Sequence, residues 1–265
     1  MKKIKNLSVK ISVIIGYITT IIINFLSNSL PINNRTPADI SESYPNLFAP
    51  AGFTFSIWGL IYLWLGAYVI YQFVRERRKK DGISNSVLNK INILFILTSI
   101  ANISWIFAWH YDYIFLSLII MISLLVFLVK IANILRNETK NLSTLDTIFI
   151  KSPFSVYFGW ITVATIANST IFLVSLGFRS FFFPEQVWAI AVLFTGVLIG
   201  GARTIKDKNT LYGIVLIWAY FGILIEHVSV DGWNMAYPQV IATVVLCIVI
   251  LFYVTARISF LQKSQ

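Results

Sequence analysis

Eight stretches of this chain are apolar for long enough to cross a bilayer, and most charged residues fall between them. They run over about 11–30, 53–74, 91–111, 113–135, 154–177, 186–202, 211–227 and 236–257. A membrane-spanning helix takes roughly 20 predominantly apolar residues. A membrane β-barrel would show short alternating segments instead. The pattern therefore predicts an all-α, polytopic membrane helical bundle of eight spans. Only Tyr111, Asp112 and Tyr113 separate the third span from the fourth, which predicts a tight helical hairpin. The sixth span is short and carries Gly196, Gly200 and Gly201, the poorest helix formers after proline.

The connections sort by charge. Lys2, Lys3, Lys5 and Lys10 precede or open the first span. No Ala-x-Ala site follows that span, where the chain reads Ser27, Asn28, Ser29, Leu30, so it is expected to be an uncleaved span rather than a secretory signal. Loop 31–52 sets Arg35 against Asp39 and Glu42, whereas 75–90 holds Arg75, Arg77, Arg78, Lys79, Lys80 and Lys90. The 111–113 turn has only Asp112; 136–153 has Arg136, Lys140 and Lys151; the next connection has Arg179 with Glu185. Arg203, Lys206 and Lys208 follow, then Asp231 with no base, then Arg257 and Lys263. Rich and poor connections alternate without a break. Basic residues stay on the cytoplasmic side. The expected location is the cell membrane, with both termini cytoplasmic and loop 31–52 outside.

Composition narrows the classes. The chain has 265 residues, 57% hydrophobic and 12% charged. A soluble domain is about 45–50% apolar and about 25% charged, so a soluble enzyme is excluded. The net charge of +10 would suggest nucleic acid in a soluble protein. Here it is a topology signal, and no nucleic-acid partner is expected. The run Arg75–Lys80 orients the chain and can meet anionic membrane lipid. The single cysteine, Cys247, lies in an apolar run and is expected to be a buried hydrophobe.

Chemistry-bearing residues are few. No acidic residue stands near the middle of a span, where ion-coupled transporters carry one. There is no phosphate-binding glycine motif, no Ser-His-Asp order and no histidine cluster. No catalytic residue and no metal site are therefore expected. His110 and His227 lie near the outer surface and are expected to be interfacial residues with water partners. Polar residues inside the spans are amides and hydroxyls, among them Asn24, Thr98, Asn102, Thr165 and Asn168. Such groups link helices or orient a ligand in an apolar pocket. Aromatic residues make up 15% of the chain, with eight tryptophans. Tyr111, Tyr113, Trp233 and Tyr237 suit an interfacial belt. Trp58 and Tyr62 are four apart and share a helical face, as do Trp105 and Trp109, with Asn102 one turn earlier. Trp160 and Asn168, eight apart, lie close to one face. These stripes suit either packing or a pocket wall.

The same residues resemble a known family. Pro50, Phe53, Phe55, Trp58, Gly59, Tyr62 and Gly66 resemble the second-helix signature of the TspO/MBR family, the tryptophan-rich sensory proteins and the translocator protein. Asn102 and Trp105 match its third helix, and Trp160 with Asn168 its fifth. The resemblance covers about residues 10–177. It implies a five-helix domain over 1–177, to which 178–265 adds three spans. It also implies a pocket for porphyrin, a haem-related tetrapyrrole or another flat apolar molecule, under a lid formed by loop 31–52. Carried over, Phe48, Pro50, Phe53, Trp58, Tyr62, Asn102, Trp105, Trp109, Trp160 and Asn168 line or frame that pocket. The chain departs from the family in three places. Phe48 or Phe53 stands where the lid usually has tryptophan. Ser169 and Leu173 replace the tyrosine and base of the sterol motif. No acidic residue lies within 114–124.

The expected function is a membrane sensor or carrier that binds a small apolar ligand without a required cofactor. A permease for an apolar or peptide-like substrate is the alternative. An enzyme acting on porphyrin ranks behind both. Whether the added spans cover the bundle, form a homodimer face or change the ligand stays open.

Overall fold

In the computed structural model, residues 2–30, 32–76, 82–178 and 183–263 are described. Arg77, Arg78, Lys79, Lys80 and Arg179 of the charge pattern lie outside them, as do the side chains of Lys2, Lys3, Lys5 and Lys263. The helices are α1 (Lys2–Ser29), α2 (Pro37–Glu42), α3 (Ile57–Glu76), α4 (Asn85–His110), α5 (Ile114–Asn137), α6 (Thr144–Asp146), α7 (Ser152–Ser175), α8 (Glu185–Asp207), α9 (Thr210–Val228) and α10 (Pro238–Lys263). A 3-10 turn, Gly52–Ser56, leads into α3, and a π-helical stretch, Thr147–Lys151, joins α6 to α7. No strand occurs among the described residues.

Eight helices are long and apolar enough to cross a membrane, as the hydropathy pattern predicts. Two boundaries move for a physical reason. α4 begins at Asn85, six residues before the apolar run, because Ser84 caps it by accepting a hydrogen bond from Val87 N–H (3.3 Å). α8 continues through the polar turn Thr204–Asp207 until Lys208 turns left-handed (φ 47°).

Contacts divide the chain into two compact units, Met1–Pro37 with Trp58–Phe158, and Ala38–Ile57 with Gly159–Gln265. The chain passes between them at the start of α2, at the start of α3 and within α7.

In the first unit α4 packs against α1 and α5. The Tyr17 hydroxyl of α1 donates to Tyr62 O of α3 (3.0 Å), and a Cβ on Gly66 would overlap that hydroxyl. The α4–α5 turn is closed by Tyr113 N–H donating to Ala108 O (2.9 Å), and Asp112 pairs with Arg35.

In the second unit α10 packs on α8 and α9. The glycines that weakened the sixth span in sequence have a packing role. Cβ atoms on Gly196 and Gly200 would overlap Tyr220 and Leu216 of α9. Four-residue spacing of small residues lets membrane helices approach closely. Gly159 of α7 plays the same part, since a Cβ there would lie 2.9 Å from Val215 Cβ and 3.1 Å from Tyr212 O. Neither atom is the free end of a flexible side chain. Gly159→Val should therefore cost about 1–3 kcal/mol in equilibrium unfolding in detergent, the range for overpacking. An unchanged midpoint would refute this close contact. Outward apolar side chains such as Phe252 and Phe260 suit a lipid surround.

Candidate ligand-binding site

Within the first unit, α3 presents Trp58 and Tyr62 one turn apart, and their rings stack at 5.3 Å with planes 20° apart. Tyr157, in the first turns of α7, meets Trp58 edge-on at 5.9 Å. It is also hydrogen-bonded by the Asn102 side chain of α4. The Asn102 carbonyl in turn accepts from Asn24 Nδ2 of α1 (2.7 Å). The amide is thus held from both ends, and it is buried. A chain of contacts joins α1, α4, α7 and α3, and three of the expected site residues, Trp58, Tyr62 and Asn102, belong to it. Tyr157 was missed by sequence reading. The only local signal was its place three residues before Trp160, on the same helical face.

One turn beyond Asn102, Trp105 stacks on Trp109 at 5.4 Å. The two indoles differ in their hydrogen bonding. Trp109 Nε1–H donates to Pro37 O (3.1 Å), which makes it a fixed wall. Trp105 Nε1 is buried with no hydrogen-bond partner among the described residues, and so is the Tyr62 hydroxyl. A buried polar atom left unpaired costs about 1–3 kcal/mol. Two such atoms beside two stacked aromatic pairs are what a ligand with an apolar face and a polar edge would use.

The other five expected residues belong to the second unit. Phe48, Pro50 and Phe53 lie in the loop expected to be a lid, and this loop is not loose. Asn46 Oδ1 accepts from Phe48 N–H (3.1 Å) and its Nδ2 donates to Tyr44 O (3.0 Å), which sets the turn. Phe48 is buried against Tyr220 (6.3 Å, edge-on), and Phe53, itself exposed, packs on Trp218 (5.5 Å). Trp160 is met edge-on by Phe55 at 5.7 Å. Asn168 is buried.

Two of the cavities among the described residues open in this unit. One of about 150 Å³ has Pro50, Phe55, Glu42, Glu226 and Trp233 in its wall. The other, of about 70 Å³, has Phe48, Leu173 and Trp188. Phe48 and Pro50 therefore line different spaces. Both are below the roughly 300–1,000 Å³ of a ligand pocket, and a tetrapyrrole enters neither without movement of its walls.

The histidines differ from the interfacial, water-bonded expectation. Both are fully buried. His110 Nδ1 hydrogen-bonds Ile106 O (2.7 Å), and His227 Nε2–H donates to Leu47 O (2.9 Å). Loop segments fold over the helix ends that carry them, which hydropathy alone does not reveal.

No curated protein and no solved structure matches the chain. The family described as TSPO-like protein matches residues 10–257, which extends the likeness from the first five spans through all eight. With its eight apolar helices, its second-helix signature and a match over nearly its whole length, this chain belongs to the TSPO-like protein family and is a multi-pass membrane protein.

Proposed function

We propose that this TspO-type membrane protein is a ligand-binding sensor or carrier for a flat apolar molecule, with a porphyrin-type tetrapyrrole as the ligand class. The observation that carries this reading is the pair of unspent polar atoms, Tyr62 Oη and Trp105 Nε1, buried beside stacked aromatic faces. The rings offer stacking surface, and the two atoms offer one donor or acceptor and one donor to a polar edge. The amide of Asn102, fixed by Asn24, keeps the surrounding helices in register.

The permease alternative rests on the three added spans and on the glycines of the sixth span. Those at 196 and 200 are occupied in packing α8 on α9, so they give it no support. We infer binding rather than catalysis, since the chain lacks the nucleophile, phosphate and metal patterns that an enzyme would use. The alternation of basic connections supports a cell-membrane location with both termini cytoplasmic, and an even number of spans agrees with it.

Titration of the purified protein with protoporphyrin, followed by tryptophan fluorescence, tests the binding. Saturable quenching is expected. Quenching absent, or linear to the solubility limit, overturns the proposal. Accumulation of ligand in sealed vesicles would return the permease reading to first place.

A further inference from the structure

We propose that the cavity between the 38–55 segment and the turn after α9 binds a small organic cation, an alkyl- or arylammonium ion. The site lies wholly within the second unit and does not depend on the tetrapyrrole reading. Glu226 and Trp233 come from the spans added to the five-helix resemblance.

The walls bring carboxylates and ring faces together. Glu42 of α2 and Glu226, near the end of α9, share a cavity of about 150 Å³ with Phe55 and Trp233. The two carboxylates are close enough to repel each other. Neither has an ion-pair partner among the described residues. The turn after α9 holds this arrangement. Trp233 N–H donates to Glu226 O (2.9 Å) and Met235 N–H to His227 O (2.9 Å), so the turn folds back on the helix end. A Cβ on Gly232 would overlap Glu226 O and stand 3.1 Å from its Oε1, so glycine lets the turn lie against that carboxylate. Trp233 stacks on the fully buried His227 ring (6.3 Å, planes 25° apart). His227 Nε2–H is committed to Leu47 O, which leaves Nδ1 as an acceptor. That Nδ1 has no hydrogen-bond partner among the described residues.

The chemistry of these walls selects the ligand. Two carboxylates that repel each other are stabilised by a positive charge beside both. The face of a tryptophan attracts the same charge. Among the described residues no group of three or more His, Cys, Asp or Glu could hold a metal ion. Two carboxylates with a ring face suit an ammonium ion better than calcium, which takes six to eight oxygen ligands. A cavity of this volume admits a molecule about the size of benzene. The charge of the unit points the same way. Among its described residues, Asp39, Glu42, Glu185, Glu226 and Asp231 lie toward this end, whereas Arg203, Lys206 and Lys208 close α8 at the other and Arg257 stands in the last turns of α10. From Glu185 to Arg203 is about 27 Å along α8. The field at the cavity is therefore negative and draws cations.

The test is isothermal titration calorimetry of the full-length protein in phosphatidylcholine nanodiscs with n-butylammonium chloride. Saturable binding is expected, and n-butanol, a neutral molecule of the same length, should bind about tenfold more weakly or not at all. Glu226→Gln should weaken n-butylammonium binding about tenfold, the low end for a hydrogen bond to a charged group. Glu42→Gln, at an exposed side chain, should weaken it about threefold, and Trp233→Leu by a similar factor. The unfolding midpoint of Glu226→Gln should stay level or rise, because a repulsion is removed. If it falls, Glu42→Gln decides alone, and an unchanged affinity there overturns the site. No saturable heat beyond that of empty nanodiscs overturns the proposal. So does binding that n-butanol matches, or that both glutamine variants leave unchanged. Calcium chloride binding that is tighter than the ammonium's and indifferent to Trp233→Leu would give the cavity to an inorganic cation and overturn the organic class.

Discussion

Asp146→Ala should lower stability by about 3–5 kcal/mol, the range for breaking a buried ion pair by removing one partner. Asp146 is fully buried in the first unit. Its Oδ1 accepts from the Tyr71 hydroxyl (2.9 Å) and from Arg75 Nε (2.9 Å), and its Oδ2 accepts from Ile83 N–H (2.9 Å). Arg75 reaches further, to Ile83 O and to Asn85 Oδ1. One carboxylate thus ties the end of α3 to the entry of α4. Alanine would leave a largely buried guanidinium without its counter-charge and two donors without acceptors.

Two further variants separate charge from space. Asp146→Asn keeps the volume and loses the charge, so its cost should fall between wild type and alanine. Gly82→Ala should also destabilise. Gly82 has φ 116°, in the region that favours glycine, and a Cβ would overlap the Asp146 carboxylate. Unfolding of the purified protein by SDS titration reads all three. A loss below about 1 kcal/mol for Asp146→Ala would mean that the cluster is solvated and not structural.

Local signals carried the fold a long way. Each of the eight spans is a run of about 20 apolar residues, a length few other structures require. The ring pairs were legible because residues four apart on a helix share a face. Trp58 with Tyr62 and Trp105 with Trp109 both stack. Pairings between distant parts of the chain left no such trace. His227 meets Leu47 across 180 positions, and Trp218 meets Thr54 across 164. Asn24 and Asn102 were both visible as amides within spans, but nothing in their neighbourhoods says that they bond each other. Asp146 stood in a connection counted for its bases, Arg136, Lys140 and Lys151, so its burial could not be read from charge. Arg75 was grouped with a basic run for the same reason, whereas its guanidinium is committed to Asp146.

Tyr62→Phe and Trp105→Phe together should weaken protoporphyrin binding by about 25-fold while leaving the protein folded. Each removes one polar atom that has no hydrogen-bond partner among the described residues. A hydrogen bond to a ligand is worth about 0.5–1.5 kcal/mol net, so each substitution alone should cost about fivefold in Kd. Stability should respond in the opposite sense for Tyr62→Phe. Deleting an unpaired buried hydroxyl relieves a desolvation cost, and the stacked ring on Trp58 remains. Trp105→Phe also removes part of a large ring, so a packing loss of about 1 kcal/mol is expected beside the lost donor. Trp109→Phe supplies the contrast. Its indole N–H already donates to Pro37 O, so that substitution should cost stability by about 1 kcal/mol and leave Kd nearly unchanged. The pattern across the three sites decides between a pocket and a packed interior. If Tyr62→Phe and Trp105→Phe leave the protein folded and do not alter Kd, the unspent atoms serve no ligand. If Trp109→Phe weakens binding as much as Trp105→Phe, ring area sets the affinity and the polar atoms do not.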